Sequence, residues 1–344
     1  LDSRYGFLGI GQFGGNITKK FEAAGCPCLI ANSSVEDLST RDAKNKLHFK
    51  GGEGCHKDRK KSKQLLQDNL DVFIDEVRSK LSQCTTIFVC ASAAGGTGSG
   101  MLAAVAKILS SQLGVNICVV TVLPDDREKF QSYANTVELF NELGRLDTIG
   151  ATFVLDNARN KDRMRINEIF FRHLSAFLVN NNGSDYGCLD RSEVDNLLAT
   201  PGMAVLSRLG RESSARFVET LSNGIYAPIE QDRVIKYIGI TSCDNDVEID
   251  DIYSRFGSPI DVYIGTNART NICMLAGLSL CTTRLNQIKE MAQTNAEILQ
   301  KGFNASKSSN IFDDLSFINA FDEVKNPPKP QEKKSSFDIL GEFL

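Results

Sequence analysis

Residues 93–100 read Ala93-Ala94-Gly95-Gly96-Thr97-Gly98-Ser99-Gly100. Their flanks give the stretch its meaning. Thr86-Ile87-Phe88-Val89-Cys90, just before it, is an apolar run of the kind that forms a buried strand. Met101-Leu102-Ala103-Ala104-Val105-Ala106-Lys107-Ile108-Leu109, just after it, reads as a helix. Glycines around a threonine, between a strand end and a helix start, leave backbone N–H groups uncovered by side chains. The positive end of the helix dipole points into the same space. Such a turn is a seat for phosphate.

Two further glycine clusters occupy comparable places. Gly9-Ile10-Gly11-Gln12-Phe13-Gly14-Gly15-Asn16 ends the short strand Gly6–Ile10 and satisfies G-x-G-x-x-G, which brings a dinucleotide fold into consideration. A nicotinamide site of that type also needs an acidic residue after the second strand to hold a ribose hydroxyl. That place reads Ala31-Asn32-Ser33-Ser34 and has no carboxylate, which disfavours an NAD-dependent oxidoreductase. Gly51-Gly52-Glu53-Gly54 follows the second strand's connection. None of the loops contains Gly-Lys-Ser/Thr, so a phosphate chain held here relies on backbone amides, Thr97, Ser99 and a metal ion. Any one loop reads equally well as an ordinary strand-to-helix turn; three at successive strand ends favour a ligand.

Around these loops the pattern alternates. Strands are expected at 6–10, 28–32, 86–90, 116–122 and 151–155, and helices at about 15–24, 62–81, 100–113 and 128–143. Alternation of this kind implies a parallel sheet covered on both faces, with ligands beyond the carboxyl ends of its strands. One long amphipathic helix is expected over 163–180, broken by Asn180-Asn181-Asn182-Gly183-Ser184. A second unit follows, with a helix near 190–198, strands at 203–208, 235–243, 260–266 and 271–279, and a closing helix at about 283–301. The expected fold class is α/β: a Rossmann-like nucleotide domain (1–162), a central helix (163–182), a smaller α+β domain with its closing helix (183–303) and an extended tail (304–344). Within that tail, Lys325-Asn326-Pro327-Pro328-Lys329-Pro330-Gln331-Glu332-Lys333-Lys334 is a proline-rich basic linker before an apolar tag, Phe337–Leu344.

Bulk composition narrows the function classes. The chain has 344 residues, enough for one large or two ordinary domains, and a net charge of −4 that argues against wholesale coating of nucleic acid. No apolar run reaches the length of a membrane span, the start Leu1–Gly6 does not read as a signal peptide, and a cytoplasmic location without direct membrane binding is expected. The ten cysteines are scattered, and His48, His56 and His173 supply no ligand cluster, so reduced thiols are expected and a zinc site is not.

The wording of the loops resembles the tubulin and FtsZ superfamily. Gly11-Gln12-Phe13-Gly14-Gly15-Asn16 is similar to its first phosphate loop, and Gly95-Gly96-Thr97-Gly98-Ser99-Gly100 is similar to its signature loop, with Ala94 where many members carry another glycine. The resemblance implies GTP and GDP as ligands, Mg²⁺, and head-to-tail filaments. It assigns nucleotide contacts to Gly11, Gln12, Phe13, Gly14, Asn16, Gly52, Gly54, Gly95, Gly96, Thr97 and Gly98, and places Asn32 near the phosphates. It also assigns a ribose contact to Glu128 and guanine contacts to Asn157 and Asn167. An asparagine amide suits guanine because it presents a donor and an acceptor together. Helix caps and a solvated first-turn carboxylate remain the plain readings of the same residues.

Asp190 and Glu193 stand three apart at the start of an expected helix. Taken alone they are a capping box. By resemblance they belong to the superfamily's catalytic loop, which an assembled neighbour presents to the nucleotide so that the acids orient water; Cys188 replaces the family's asparagine two residues earlier. The short C-terminal half and the tail are most like the TubZ group of plasmids and phages, clostridial phages included. That likeness implies DNA segregation in a bacterial host cytoplasm, through a TubR-like DNA-binding adaptor docked by the tail; a solvated tail with no fixed partner is the plain reading of the same residues. A division-ring protein is the same-family alternative, and a nucleotide-binding structural module without turnover is another.

Overall fold

A computed structural model describes residues 1–179, 189–210, 216–231, 234–243, 249–266, 268, 270–305 and 335–344. Cys188, the 180–184 break and the linker lysines Lys329, Lys333 and Lys334 lie outside the described residues. The first part alternates β1 (Tyr5–Ile10), α1 (Gly11–Ala23), β2 (Cys28–Asn32), α2 (Val35–Ser39), β3 (Lys46–His48), α3 (Arg59–Asp68), α4 (Leu70–Leu81), β4 (Thr86–Ser92), α5 (Thr97–Leu113), β5 (Asn116–Leu123), α6 (Phe130–Leu143) and β6 (Ala151–Asp156). β1, β2 and β6 are buried at every residue, which their unbroken apolar sequences require of strands covered on both faces.

The second part comprises α7 (Arg163–Leu178), α8 (Arg191–Ala199), β7 (Gly202–Leu209), α9 (Phe217–Asn223), β8 (Tyr237–Thr241), α10 (Asp250–Phe256), β9 (Asp261–Gly265), β10 (Asn271–Leu278), α11 (Thr282–Ala305) and α12 (Ser336–Gly341). Among the described residues one sheet runs through both parts in the order β3-β2-β1-β4-β5-β6-β7-β10-β8-β9. The strands from β3 to β7 pair in parallel, and β10 runs antiparallel to β7 and β8. The junction is the parallel pairing of β6 with β7, Thr152 opposite Met203. From β1 the chain winds outward to β2 and β3, then crosses back to β4 on β1's other side, so the order reverses between β1 and β4.

A file of aromatic rings holds that centre. Phe7 of β1 stacks on Phe21 of α1 at 3.8 Å and on Phe88 of β4 at 4.8 Å. Phe88 approaches Phe153 of β6, and Phe153 meets Phe170 of α7 edge to face at 5.6 Å. Ile166, Phe170, Leu174 and Phe177 supply the buried stripe of α7, at the three- and four-residue spacing of one helix face.

Several expectations need correction. The helix expected over 62–81 is two helices, α3 and α4, interrupted at Asn69 (φ −118°, ψ 13°). The Asn69 amide donates to the carbonyls of Lys50 and Leu65 and accepts from Lys50 N–H, so its side chain competes with the helix backbone. α1 and α5 begin inside the glycine loops rather than after them. The apolar tag at the end of the expected extended tail is folded: α12 buries Ile339 and Leu340 in the main core, against α5.

α11 is pinned to the sheet by one buried cation. Arg284 Nε lies 2.9 Å from Oδ2 of Asp156, and Nη2 lies 2.8 Å from Oδ1 of Asp126 and donates to the Pro124 carbonyl. Asp156 is only 2% exposed, so removing its cation leaves a carboxylate that water cannot reach. Arg284→Ala is therefore expected to cost about 3–5 kcal/mol in denaturant unfolding. Asp126→Ala, at the exposed arm, should cost below about 1 kcal/mol. Equal small losses from both would refute the buried-pair account.

Candidate functional site

The carboxyl ends of β1 and β4, adjacent in the sheet, each feed a helix that starts without a side-chain cap. The uncapped first turns of α1 and α5 therefore open side by side where the strand order reverses, the place where open α/β sheets bind ligands. A cleft of about 650 Å³ lies there. Of the expected contact residues, Gly11, Gln12, Phe13, Asn16, Asn32, Gly54, Gly95, Gly96, Thr97, Gly98, Asn157 and Asn167 line it. The φ of +73° at Gly11 turns the chain from β1 into the first loop, a conformation that side chains resist.

Gly14, Gly52 and Glu128 lie outside the lining. A Cβ on Gly14 would stand 2.1 Å from the Cys90 carbonyl oxygen, so this glycine lets α1 pack on β4 rather than meeting a ligand. A Cβ on Gly52 would press on Leu65 at 2.8 Å, which marks it as another packing glycine. Both oxygens of Glu128 are engaged: Oε1 with Arg163 at 2.7 Å, and Oε2 with Ser132 at 2.9 Å and Lys57 at 3.4 Å. Its link to the cleft therefore runs through Arg163. Ser99 turns its hydroxyl back to the Gly95 carbonyl and so braces the loop from within.

The end of the cleft beside the glycine loops is rich in hydroxyl and carboxylate oxygen. Thr97 Oγ1 and Ser33 Oγ are 2.7 Å apart, while the Thr97 carbonyl accepts from Ser62. Asp37 and Glu53 also line the cleft, and Asn32 Nδ2 donates to Asp37 at 3.1 Å. Arg41 clamps the first loop by donating to Asn16 Oδ1 at 2.6 Å and to the Gln12 carbonyl at 3.1 Å. Opposite, Asn157 sits on the turn that Asp156 caps by accepting from Ala158 N–H, and Asn167 is buried on the first half of α7.

Sequence reasoning missed Arg163, Asp37 and the pair His56-Lys57. Arg163 lines the cleft and bonds Asp125 at 2.8 Å as well as Glu128. Among the described residues, His56 and Lys57 are the non-glycine residues with positive φ, 48° and 64°. Nothing in their residue types announces that strain, which tertiary contacts impose beside the Gly96 loop. The Asp125 carboxyl is opposed by burial but receives hydrogen bonds from Arg163, from the Arg127 N–H and from the Arg127 side chain, and these hold it down at about 2.

Asp190 and Glu193 are nowhere near this cleft. They form a complete capping box: Asp190 Oδ1 accepts from Glu193 N–H at 2.9 Å, and Glu193 Oε2 accepts from Asp190 N–H at 2.8 Å. Those bonds and the Ser192 hydroxyl hold the Asp190 carboxyl below the usual carboxylate range. α8 belongs to the amino-terminal edge of the sheet. Its Asp195 pairs with Arg4, just ahead of β1, at 3.4 Å, and its Leu198 carbonyl accepts from Cys118, near the start of β5. The cleft lies at the carboxyl edge, and a six-residue strand spans roughly 20 Å. The two acids and the glycine loops occupy opposite poles.

Two substitutions separate packing from binding. Gly14→Ala should abolish soluble folded protein, whereas Gly95→Ala, whose added methyl meets nothing nearer than 4.0 Å, should keep the unfolding midpoint and change only ligand affinity. For Asp125 the sign follows from a folded pKa below the unfolded one. Its stabilisation is full above about pH 4 and is lost as pH falls toward about 2. Asp125→Asn should cost about 1–2 kcal/mol at neutral pH, allowing for solvent screening, with the gap from wild type closing across that acid range.

Comparisons with known proteins agree with this geometry. The family described as Tubulin/FtsZ family, GTPase domain, matches residues 6–164. Tubulin-like protein TubZ of Clostridium botulinum C phage is 27% identical over 315 residues, spanning 89% of this chain and 87% of the relative. The structure of the C-terminal tail truncated TubZ of Clostridium botulinum phage c-st superposes with a TM-score of 0.77 at 25% identity, covering 86% of this chain and 98% of that one. A GTPγS-form protofilament of TubZ from Bacillus thuringiensis serovar israelensis shares the fold, with a TM-score of 0.71 at 17% identity over 87% of this chain and 94% of that one. Residues 6–164 are thus a GTPase domain of the Tubulin/FtsZ family, and the likeness to TubZ extends over 89% of the chain.

Proposed function

We propose that this protein is a filament subunit that binds GTP in the cleft between β1 and β4 and hydrolyses it with Asp190 and Glu193 lent by the next copy. The observation carrying the proposal is the separation of the two halves of the site: loops at the carboxyl edge of the sheet, acids at the amino-terminal edge. Head-to-tail stacking is the packing that brings opposite poles together, and a heterologous contact that does not close on itself gives a filament. The TubZ of Bacillus thuringiensis, with the same fold, is described as a protofilament.

The residues present suit a triphosphate and a hard cation. Among the described residues no lysine lines the cleft, so the phosphate charge is met by N–H groups of the 11–13 and 95–98 loops. Asp37, Glu53, Thr97 and Ser33 offer the all-oxygen donor set that Mg²⁺ prefers, and such an ion supplies charge neutralisation at the phosphates when bound. Asn157 and Asn167 read the guanine edge with paired donor and acceptor groups. Water attacks the γ-phosphorus, the bridging bond to the β-phosphate breaks, and GDP and phosphate leave. The borrowed carboxylates orient that water, ionised as Asp190's neighbours hold it.

Segregation of plasmid or phage DNA through a TubR-like adaptor is the cellular role in keeping with the TubZ likeness. The basic linker ahead of α12 suits an adaptor on DNA by its charge.

Measuring phosphate release against protein concentration tests the mechanism. Activity per subunit should be negligible below a threshold and rise steeply above it. Asp190→Ala and Glu193→Ala should bind GTP as the wild type does yet lose turnover by roughly 10²-fold or more. Strict proportionality from the lowest concentration, or unchanged turnover in both variants, would falsify the shared site.

A further inference from the structure

α12 behaves as a small ligand attached to its own receptor. Ser335 and Asp338 close a capping box on it, Ile339 and Leu340 are 2% and 1% exposed, and Phe343 packs half-buried against the same core. The receiving surface is α5, flanked by α3 and α6: Lys63 of α3 donates to the Phe343 carbonyl and pairs with Glu142 of α6 at 2.9 Å. From there a polar line runs inward. Glu142 pairs with Arg59 Nη2 at 2.6 Å, and Arg59 Nη1 donates to the carbonyl of Ser99, in the first turn of α5 beside the glycine loop. Arg59 is 4% exposed and held again by Glu138, so the line is fixed in place at its inner end.

We propose that residues 335–344 are a tethered internal ligand of the α3/α5/α6 face, exchanging between docked and released states, and that docking is coupled to the nucleotide loop through Phe343, Lys63, Glu142, Arg59 and Ser99. Two buried aliphatic side chains and one charge-assisted hydrogen bond support an intrinsic dissociation constant of about 0.1–1 mM. Twenty-nine residues, 306–334, connect α11 to the segment. A tether of that order supplies an effective concentration in the millimolar range. The docked state therefore predominates without being locked, and it is open to competition by any partner that prefers the released segment. Because coupling is reciprocal, a nucleotide that alters the Ser99 turn must alter docking by the factor by which docking alters nucleotide affinity. The docking itself stands on packing alone; only the coupling rests on the nucleotide reading above.

The full-length chain carrying Ile339→Asp and Leu340→Asp releases the segment without touching the cleft. A labelled peptide of residues 335–344 should bind this variant with a dissociation constant of about 0.1–1 mM and bind the wild type about two- to tenfold more weakly, because the native segment competes. Hydrogen exchange over 337–343 and 95–105 should accelerate together in the variant. In the wild type, GTPγS should change exchange over 337–343, and Glu142→Gln should erase that response while leaving peptide binding within about twofold. Equal peptide affinity for wild type and variant, or exchange over 337–343 that slows with rising protein concentration, would sink self-docking in favour of an empty groove or a second copy's segment. Exchange that ignores GTPγS in a chain that binds it would sink the coupling alone; a wild type that binds no GTPγS instead overturns the nucleotide reading and leaves the docking result standing.

Discussion

Everything at the site depends on two neighbouring parallel strands that turn into helices without capping them. β1 and β4 lie side by side because the strand order reverses between them, and each opens onto a first helical turn too poor in side chains to satisfy its own N–H groups. Two positive helix ends are thereby brought within one cleft, an arrangement that is costly unless an anion or water occupies it. The aromatic file from Phe21 through Phe7 and Phe88 to Phe153 and Phe170 holds the strands and helices at that spacing from below. Glycine at position 14 is the steric condition for it, since α1 could not otherwise approach the Cys90 carbonyl.

Charge is organised around the cleft rather than inside it. Lys57, Glu128, Ser132, Arg163 and Asp125 form one network on its rim, and Asp126, Arg284 and Asp156 form a second behind the Asn157 turn. The second network joins α11 to the strand end that carries Asn157. A buried pair of this kind adds little net stability over an apolar substitute, but it is costly to break on one side, so it fixes geometry. The orientation of Asn157 thus depends on a residue 127 positions later in the chain.

The same sheet separates two chemical capacities. Its carboxyl edge can hold a nucleotide, and its amino-terminal edge carries a pair of acids whose helix start is complete in its own right. Capping and presentation are compatible, because the box orders Asp190 and Glu193 on an exposed surface. α12 adds a third surface, on the outer side of α5, reached through space from the far end of the chain.

The glycine loops and the strands feeding them were legible because each depends on spacing within a few residues. Periodicity and turn chemistry are local, and they sufficed to find the loops; Asn32, Asn157 and Asn167, which line the same cleft, came from the family resemblance. The break at Asn69 escaped because its cause is a bond to Lys50, nineteen residues away. The resemblance puts Glu128 at the ribose, but its carboxylate answers to Arg163 and Lys57, whose arrival no local pattern announces. Composition made the C-terminal tag apolar and left its destination open. The sequence alone determined most of the strands and helices and the glycine-rich turns between them, because backbone preference and side-chain periodicity act over one or two turns of chain. Only the tertiary structure decided which glycines pack and which face the cleft, and that the acids stand at the opposite pole. Those outcomes rest on strand order and on contacts between residues far apart in the chain.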